Sequence, residues 1–220
     1  MVKHKKGFMK REKLLIFDCD GVLVDSEPLA GRVFIECLQK EGFDVDELYG
    51  EKFVGIALKD NLKQIEADFK RSVSDGFIET LSLMTYQEIK QSLQPIPDID
   101  NALARLSNPR CIASGSDYER IKLSLEVTGL SNYFEHIFSA TEVPNGKPFP
   151  DIFLYAARKM KYDSKDCIVI EDSYAGMQAG LAAEMKVLLY KPHTESSFPI
   201  PDNVSVFTDM LQLPSLVNLY

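Results

Sequence analysis

The sequence predicts an α/β protein: a Rossmann-like parallel sheet with helices on both faces, plus a small all-helical unit inserted after the first strand. Three features lead there. Short, continuous, partly β-branched apolar runs recur: LLIF (14–17), RCIAS (110–114), HIFSA (136–140), CIVIE (167–171), KVLLY (186–190) and, more weakly, VSVF (204–207). Runs this short suit strands buried on both faces. Helix-like stretches separate the later runs, and strand alternating with helix means a parallel sheet covered on either side. The rhythm breaks once, between the first and second runs, where a long stretch has helical periodicity and no comparable strand. At 220 residues the chain is long enough for one sizeable domain carrying such an insertion.

Taken in order, the chain opens on MVKHKKGFMKREK, which is basic and is followed by only four apolar residues before Asp18. That is too short for the apolar region of a signal peptide, so residues 1–12 are expected to be a solvated tail. LLIF is the first strand. From about Leu29 to Leu93 three apolar sets recur at helical spacing: Val33, Phe34, Ile35 and Leu38; Leu58, Leu62, Ile65 and Phe69; Phe77, Ile78, Leu81, Met84 and Ile89. QPIPDID then supplies prolines, a natural boundary. The expected division is a catalytic core of residues 1–28 and 94–220 and a helical cap of residues 29–93. Its hinges are expected near Ser26-Glu27-Pro28 and Leu93-Gln94-Pro95. RCIAS is the second strand. Residues 117–129 read as a helix, with Ile121, Leu123, Leu125 and Val127 among polar neighbours and Gly129 as its stop. Residues 151–161 and 174–184 read as helices after HIFSA and CIVIE.

Net charge is −8 and the pI is about 5.0. Such a surface repels nucleic acid and anionic membrane, so neither is an expected partner. No apolar run approaches the roughly 20 residues of a membrane span. Cys19, Cys37, Cys111 and Cys167 lie far apart, without a CxxC pair or Cys/His metal spacing, and read as small buried hydrophobes. Reduced thiols and no export signal imply a cytoplasmic protein. His4, His136 and His193 are scattered and none is given a catalytic role. A monomer is the default expectation.

The chemistry concentrates at predicted strand ends, where open α/β sheets bind ligands. Asp18 and Asp20 stand one residue apart at the first tip. Two carboxylates held together raise each other's pKa unless a cation or proton intervenes; the plain alternative is a turn at Asp20-Gly21. In ASGSD (113–117), a serine and a glycine-loosened backbone before a helix suit an anion, although Ser116 or Asp117 as a helix cap explains the same residues. In NGKPFPD (145–151), Lys147 sits in a proline-stiffened loop and is either a phosphate-neutralising cation or a solvated lysine. In IVIEDSYAGMQAGLAA (168–183), Glu171 and Asp172 end a strand and Ser173 opens a helix. A cap there explains one acid and leaves the other at a buried tip. Four carboxylates converging require a hard cation, and oxygen-only ligands suit Mg²⁺. Together the parts describe phosphoryl transfer. Neither GxxxxGK[ST] nor GxGxxG occurs.

The order DCDGVLVDSE, ASGS, GKPFPDIF, IEDSYAGMQAG resembles the haloacid dehalogenase superfamily over nearly the whole chain from Lys13 onward. Within it, the chain resembles the branch with a helical cap after the first motif, which includes β-phosphoglucomutase and many sugar-phosphate phosphatases. The resemblance implies that Asp18 is the nucleophile that becomes an aspartyl phosphate and that Asp20 is the general acid/base. It implies that Ser114, with the N–H of Gly115, binds phosphate and that Lys147 offsets charge on Asp18 and the phosphate. Asp172 matches a Mg²⁺ ligand, beside the Asp18 carboxylate and the Asp20 backbone carbonyl. Glu171 matches a ligand through water or a supporting neighbour. The intact DxD favours phosphate-ester hydrolysis or mutase action over dehalogenation. The histidine of β-phosphoglucomutases falls at Ala30, and their basic cap residues fall near Val54 and Leu58, with Lys52 and Lys59 close by.

The expected function is therefore a Mg²⁺-dependent phosphatase acting on a small phosphorylated metabolite: a sugar, sugar-acid or polyol phosphate. A β-phosphoglucomutase-type mutase is the alternative, and a catalytically silent phosphate-binding regulatory protein a more distant one. The C-terminal VSVFTDMLQLPSL is similar to bacterial 6-phosphogluconate phosphatases. The cap loop at Val54, Gly55 and Ile56 is expected to read the substrate.

Overall fold

The structure, a computed structural model, describes residues 12–50, 52, 58–192 and 198–220. His4, His193 and the cap-loop residues Val54, Gly55 and Ile56 lie outside the described residues. Six strands, β1 (Leu14–Phe17), β2 (Arg110–Ser114), β3 (Ile137–Ser139), β4 (Cys167–Glu171), β5 (Lys186–Tyr190) and β6 (Ser205–Phe207), form one sheet in the order β3-β2-β1-β4-β5-β6. All the pairings are parallel. The strands occupy the apolar runs read from the sequence, with HIFSA trimmed to its central three residues.

The sheet is continuous in hydrophobicity because both faces are covered. Leu15, Phe17, Ile112, Ile168 and Ile170 pack on one side. Leu14, Ile16, Cys111, Ala113 and Val169 pack on the other, with Ile152 and Phe153 of α7 (Asp151–Met160) and Met177 of α8 (Tyr174–Ala182). All four cysteines are buried and free. Strand order reverses at β1: β2 and β3 run off one side and β4 to β6 off the other. The carboxyl ends of β1, β2 and β4 thus share one crevice.

Between β1 and β2 the chain runs through α1 (Glu27–Lys40), the short α2 (Glu47–Gly50), α3 (Leu58–Phe69) and α4 (Phe77–Ser92). Val33, Phe34, Leu38, Ile65, Phe77 and Ile89 form their buried seam, and Phe34 meets Phe77 edge-on at 6.0 Å. Leu58 and Ile78 differ from the sequence expectation, at 38% and 46% exposed; the cavity described below accounts for both. The entry and exit segments lie side by side. Asp25 N donates to Gln94 O, Ile96 N donates to Leu23 O, and Val24 bridges Pro95 antiparallel. The segment 26–28, expected as the entry hinge, lies at the start of α1. Ser26 is the N-cap position of α1 and Pro28 sits in its first turn, where the missing N–H costs nothing.

After α5 (Ile99–Ala104) and β2, α6 (Tyr118–Thr128) ends at Gly129 in the left-handed conformation, as the sequence implied. Its buried set is Ile121, Ser124 and Leu125, whereas Val127 is exposed and Leu123 only partly covered. An every-second-residue pattern cannot lie on one helical face; i, i+3, i+4 does. The short α9 (Leu213–Val217) closes the described chain. Among the described residues no helix is long and apolar enough to cross a membrane.

This layering predicts a sharp contrast in urea denaturation. Phe17→Ala, at the fully buried end of β1, is expected to cost about 3–5 kcal/mol. Val206→Ala, exposed on edge strand β6, should stay within about 0.5 kcal/mol.

Candidate active site

Asp18 follows β1 directly. Its N–H donates to Ile170 O at 3.0 Å, continuing the β1–β4 ladder by one residue. Because Phe17 is registered with Ile170, Asp18 comes to lie beside Glu171, the last residue of β4. Lys147 reaches the same point from the loop before α7. Its Nζ is 2.8 Å from Asp18 Oδ1 and 2.5 Å from Glu171 Oε1, and it lies 5.0 Å from the centroid of the Phe153 ring. Burial alone would favour the neutral amine, but the two carboxylates hold the lysine above its ordinary pKa. The solvated-loop reading of Lys147 is thereby excluded.

Glu171 is fully buried and both its oxygens are engaged. Oε1 meets Lys147, while Oε2 accepts from Asp172 N at 2.9 Å and from Ser173 N and Oγ at 3.0 Å each. Burial pushes its pKa up, but Lys147 and these donors outweigh that and hold it below the usual range. Gly176 is required here, because a Cβ at that position would overlap the Glu171 carboxylate. For Asp18 burial dominates: the pKa is pushed up to about 7, with Lys147 opposing and the charges of Glu171 and Asp20 adding. Burial, then the charges of Glu171, Asp18 and Glu27, hold Asp172 well above the carboxylate range.

These residues fit a divalent cation. Asp18, Glu171 and Asp172 each offer a carboxylate oxygen, all within 4.8 Å of one another. When all three are ionised, the carboxylates exceed the one ammonium by two negative charges in a buried, oxygen-only donor set, the condition a hard divalent ion satisfies in place of protons. Gly21, in the left-handed region at φ +76°, leaves room for Asp172, since a Cβ there would overlap its carboxylate.

Asp20 corrects the expectation that four carboxylates converge on one cation. Its carboxylate accepts from Ser26 Oγ at 2.6 Å, Ser116 Oγ at 2.7 Å and Arg120 Nη2 at 3.2 Å. Although burial opposes ionisation, Arg120 and the two hydroxyls together hold its pKa below the ordinary value. Its charge is met by the protein itself. Ser114 is buried at the end of β2, where its Oγ accepts from Ser116 N at 3.1 Å; Gly115 beside it is exposed. Asp117, not Ser116, caps α6, by accepting from Arg120 N. Ser26, Ser116 and Arg120 were not singled out as site residues from the sequence. The available signal was position: a helix starting at a strand tip carries its first-turn side chains to that tip.

A cavity of about 390 Å³ lies between the helical insertion and the start of α6, lined by Ala30, Phe34, Leu58, Ile78 and Leu81 among others, and by Arg120 at the Asp20 side. That is within the range of roughly 300–1,000 Å³ for small-molecule clefts. Tyr86 of α4 donates to Asp117 Oδ1 at 2.6 Å, joining insertion to sheet domain across it.

Acids and a buried lysine thus stand together at the carboxyl ends of a parallel sheet, beside a small-molecule cavity. The chain belongs to the haloacid dehalogenase-like hydrolase family, whose model matches residues 15–190. It is 27% identical over 211 residues to 6-phosphogluconate phosphatase of Escherichia coli K12, covering 94% of this chain and 96% of that protein. It is also 27% identical over 180 residues to hexitol phosphatase B of the same strain, covering 79% and 81%. Among solved structures, a conserved haloacid dehalogenase-like protein of unknown function from Agrobacterium tumefaciens C58 superposes with a TM-score of 0.79 at 30% identity, covering 94% of this chain and 98% of that one. The chain is accordingly a phosphatase.

The raised pKa of Asp18 has a thermodynamic signature in metal-free protein. The folded state keeps this proton to about pH 7, whereas the ordinary value is 3.8. Folded protein therefore binds more protons than unfolded across that window, and this residue's contribution to stability falls as pH rises. In urea melts with EDTA, the stability of Asp18→Asn relative to wild type should climb by roughly 1–3 kcal/mol between pH 4 and 8. A difference that is flat or falls with pH would contradict the assignment.

Proposed function

We propose that the protein is a Mg²⁺-dependent phosphatase that hydrolyses a small sugar, sugar-acid or polyol phosphate monoester through an aspartyl phosphate on Asp18. The observation that carries this is the fixed position of Asp18, at the tip of β1, with its carboxylate 2.8 Å from buried Lys147 and within 4.8 Å of the ligand oxygens of Glu171 and Asp172. The curated relatives, named for a phosphogluconate and for hexitol phosphates, support the substrate class.

In this reading Asp18 attacks phosphorus and the ester oxygen leaves with a proton from Asp20. Asp20 then takes a proton from the water that attacks the aspartyl phosphate, so its proton count is unchanged over a turnover. Arg120, Ser26 and Ser116 hold Asp20 as the ionised base that the second step uses; the charge of an arriving phosphate favours the protonated acid that the first step uses. Ser114 and the N–H of Gly115 hold phosphate oxygens. Lys147, held by Glu171, neutralises charge on Asp18 and the transferring group. Mg²⁺ bound by Asp18 and Asp172, with the Asp20 backbone carbonyl, would supply Lewis-acid stabilisation of the phosphoryl oxygens. Residues 29–93 act as the cap, pivoting on the paired linkers at 23–25 and 94–96 to exclude water.

Phosphate release from a panel of small phosphate esters, with Mg²⁺ and with EDTA, tests this reading. Release should require the metal. Asp18→Asn and Asp172→Ala should abolish it, and Asp20→Asn should lower kcat by about 10²–10⁴-fold. EDTA-insensitive release, wild-type turnover by Asp18→Asn, or isomerised product with little free phosphate would each refute it.

A further inference from the structure

The cavity beside Asp20 has a charge pattern that the phosphatase reading leaves unused. Among the described residues lining it, the charged groups are Glu27, Asp117 and Arg120. Arg120 is paired through Nη2, 3.2 Å from Asp20 Oδ1, while its Nε is buried without a hydrogen-bond partner. Asp117 is fixed by Tyr86 Oη and by Arg120 N. Glu27 stands in the first turn of α1, and its charge acts on Asp172. The remaining wall is apolar or neutral: Phe34, Leu58, Ile78 and Leu81 against Ser82 and Thr85. Exposed Leu58 and Ile78 have their place here, as one side of the cavity.

At the phosphoryl end, ionised Asp18, Glu171 and Asp172 exceed Lys147 by two negative charges, the charge of one divalent cation. In the cavity lining, two carboxylates, Glu27 and Asp117, stand with one guanidinium whose own partner is a third carboxylate. A second anionic group on the substrate would enter a region whose described charged lining, Glu27, Asp117 and Arg120 with its partner Asp20, is net negative. Repulsion between charges in a partly desolvated cleft far exceeds its value in water. A hydroxyl-bearing chain meets no such penalty, since the lining offers polar partners in Glu27, Asp117, Ser82 and Thr85 and apolar surface in Phe34 and Leu81.

We propose that this cavity selects an uncharged leaving group, the phosphate ester of a neutral sugar or polyol, and discriminates against sugar-acid phosphates and bisphosphates through Glu27 and Asp117. The inference rests on the phosphatase reading and narrows it.

A matched pair of open-chain substrates tests it: D-glucitol 6-phosphate and 6-phosphogluconate, which differ at carbon 1 by hydroxymethyl against carboxylate. With Mg²⁺ at low ionic strength, kcat/KM should favour glucitol 6-phosphate by about 10-fold or more, and the gap should narrow in high salt. Glu27→Gln and Asp117→Asn should each narrow it by raising the 6-phosphogluconate value; Asn preserves the helix cap at 117. Equal or better turnover of 6-phosphogluconate would overturn the inference, as would a gap that neither variant changes. p-Nitrophenyl phosphate separates the two levels. If it is cleaved while neither sugar phosphate is, the inference falls and the phosphatase reading stands. If it too survives, the phosphatase reading falls and the inference with it.

Discussion

The site depends on one buried ammonium, Lys147, held between Asp18 and Glu171. Removing these charges from water costs several kcal/mol per ion, and mutual attraction offsets that only when geometry and hydrogen bonding are nearly complete. Glu171 meets the condition by spending its second oxygen on the backbone of Asp172 and Ser173 and on the Ser173 hydroxyl. The start of α8 is thus tied to the carboxylate that ties down the lysine. Gly176 supplies the space, and the β1–β4 register sets Asp18 opposite. Nucleophile candidate, cation and metal-ligand candidate are consequences of a single pairing between two strands.

Asp20 belongs to a second, separate electrostatic unit. Although two residues from Asp18, it is paired to Arg120, Ser26 and Ser116. These two compartments keep neighbouring carboxylates at opposite ends of the pKa range: one raised by burial, one lowered by an arginine. Pairs whose environments push their pKa values apart are the arrangement acid–base chemistry needs. Arg120 also forms part of the cavity wall, so the group that sets Asp20's charge is the group a leaving group would approach.

The strands were legible because a sheet buried on both faces writes itself as continuous apolar runs, and the acids because they stand where those runs stop. Lys147 was legible only through motif order; nothing local to NGKPFPD distinguishes a buried lysine from a solvated one. Arg120 was legible only as a first-turn residue at a strand tip; its partner lies 100 residues earlier in the chain, and only the folded crevice joins them. Ser26-Glu27-Pro28 looks like a linker in the sequence, yet Pro28 stands in the first turn of α1, where its missing N–H is accommodated. Leu58 and Ile78 matched a core pattern by periodicity, but periodicity does not separate a core from a cavity wall.

The central claim is that Asp18 carries the phosphoryl group. The most direct measurement is to acid-quench the enzyme during turnover with Mg²⁺ and substrate, reduce it with borohydride, and sequence the peptide spanning Leu14–Pro28 by mass spectrometry. An aspartyl phosphate is reduced to homoserine, so the account predicts homoserine at position 18, dependent on substrate and absent without it. Full turnover with position 18 unmodified, or with the modification at Asp20 or Asp172 instead, would contradict it.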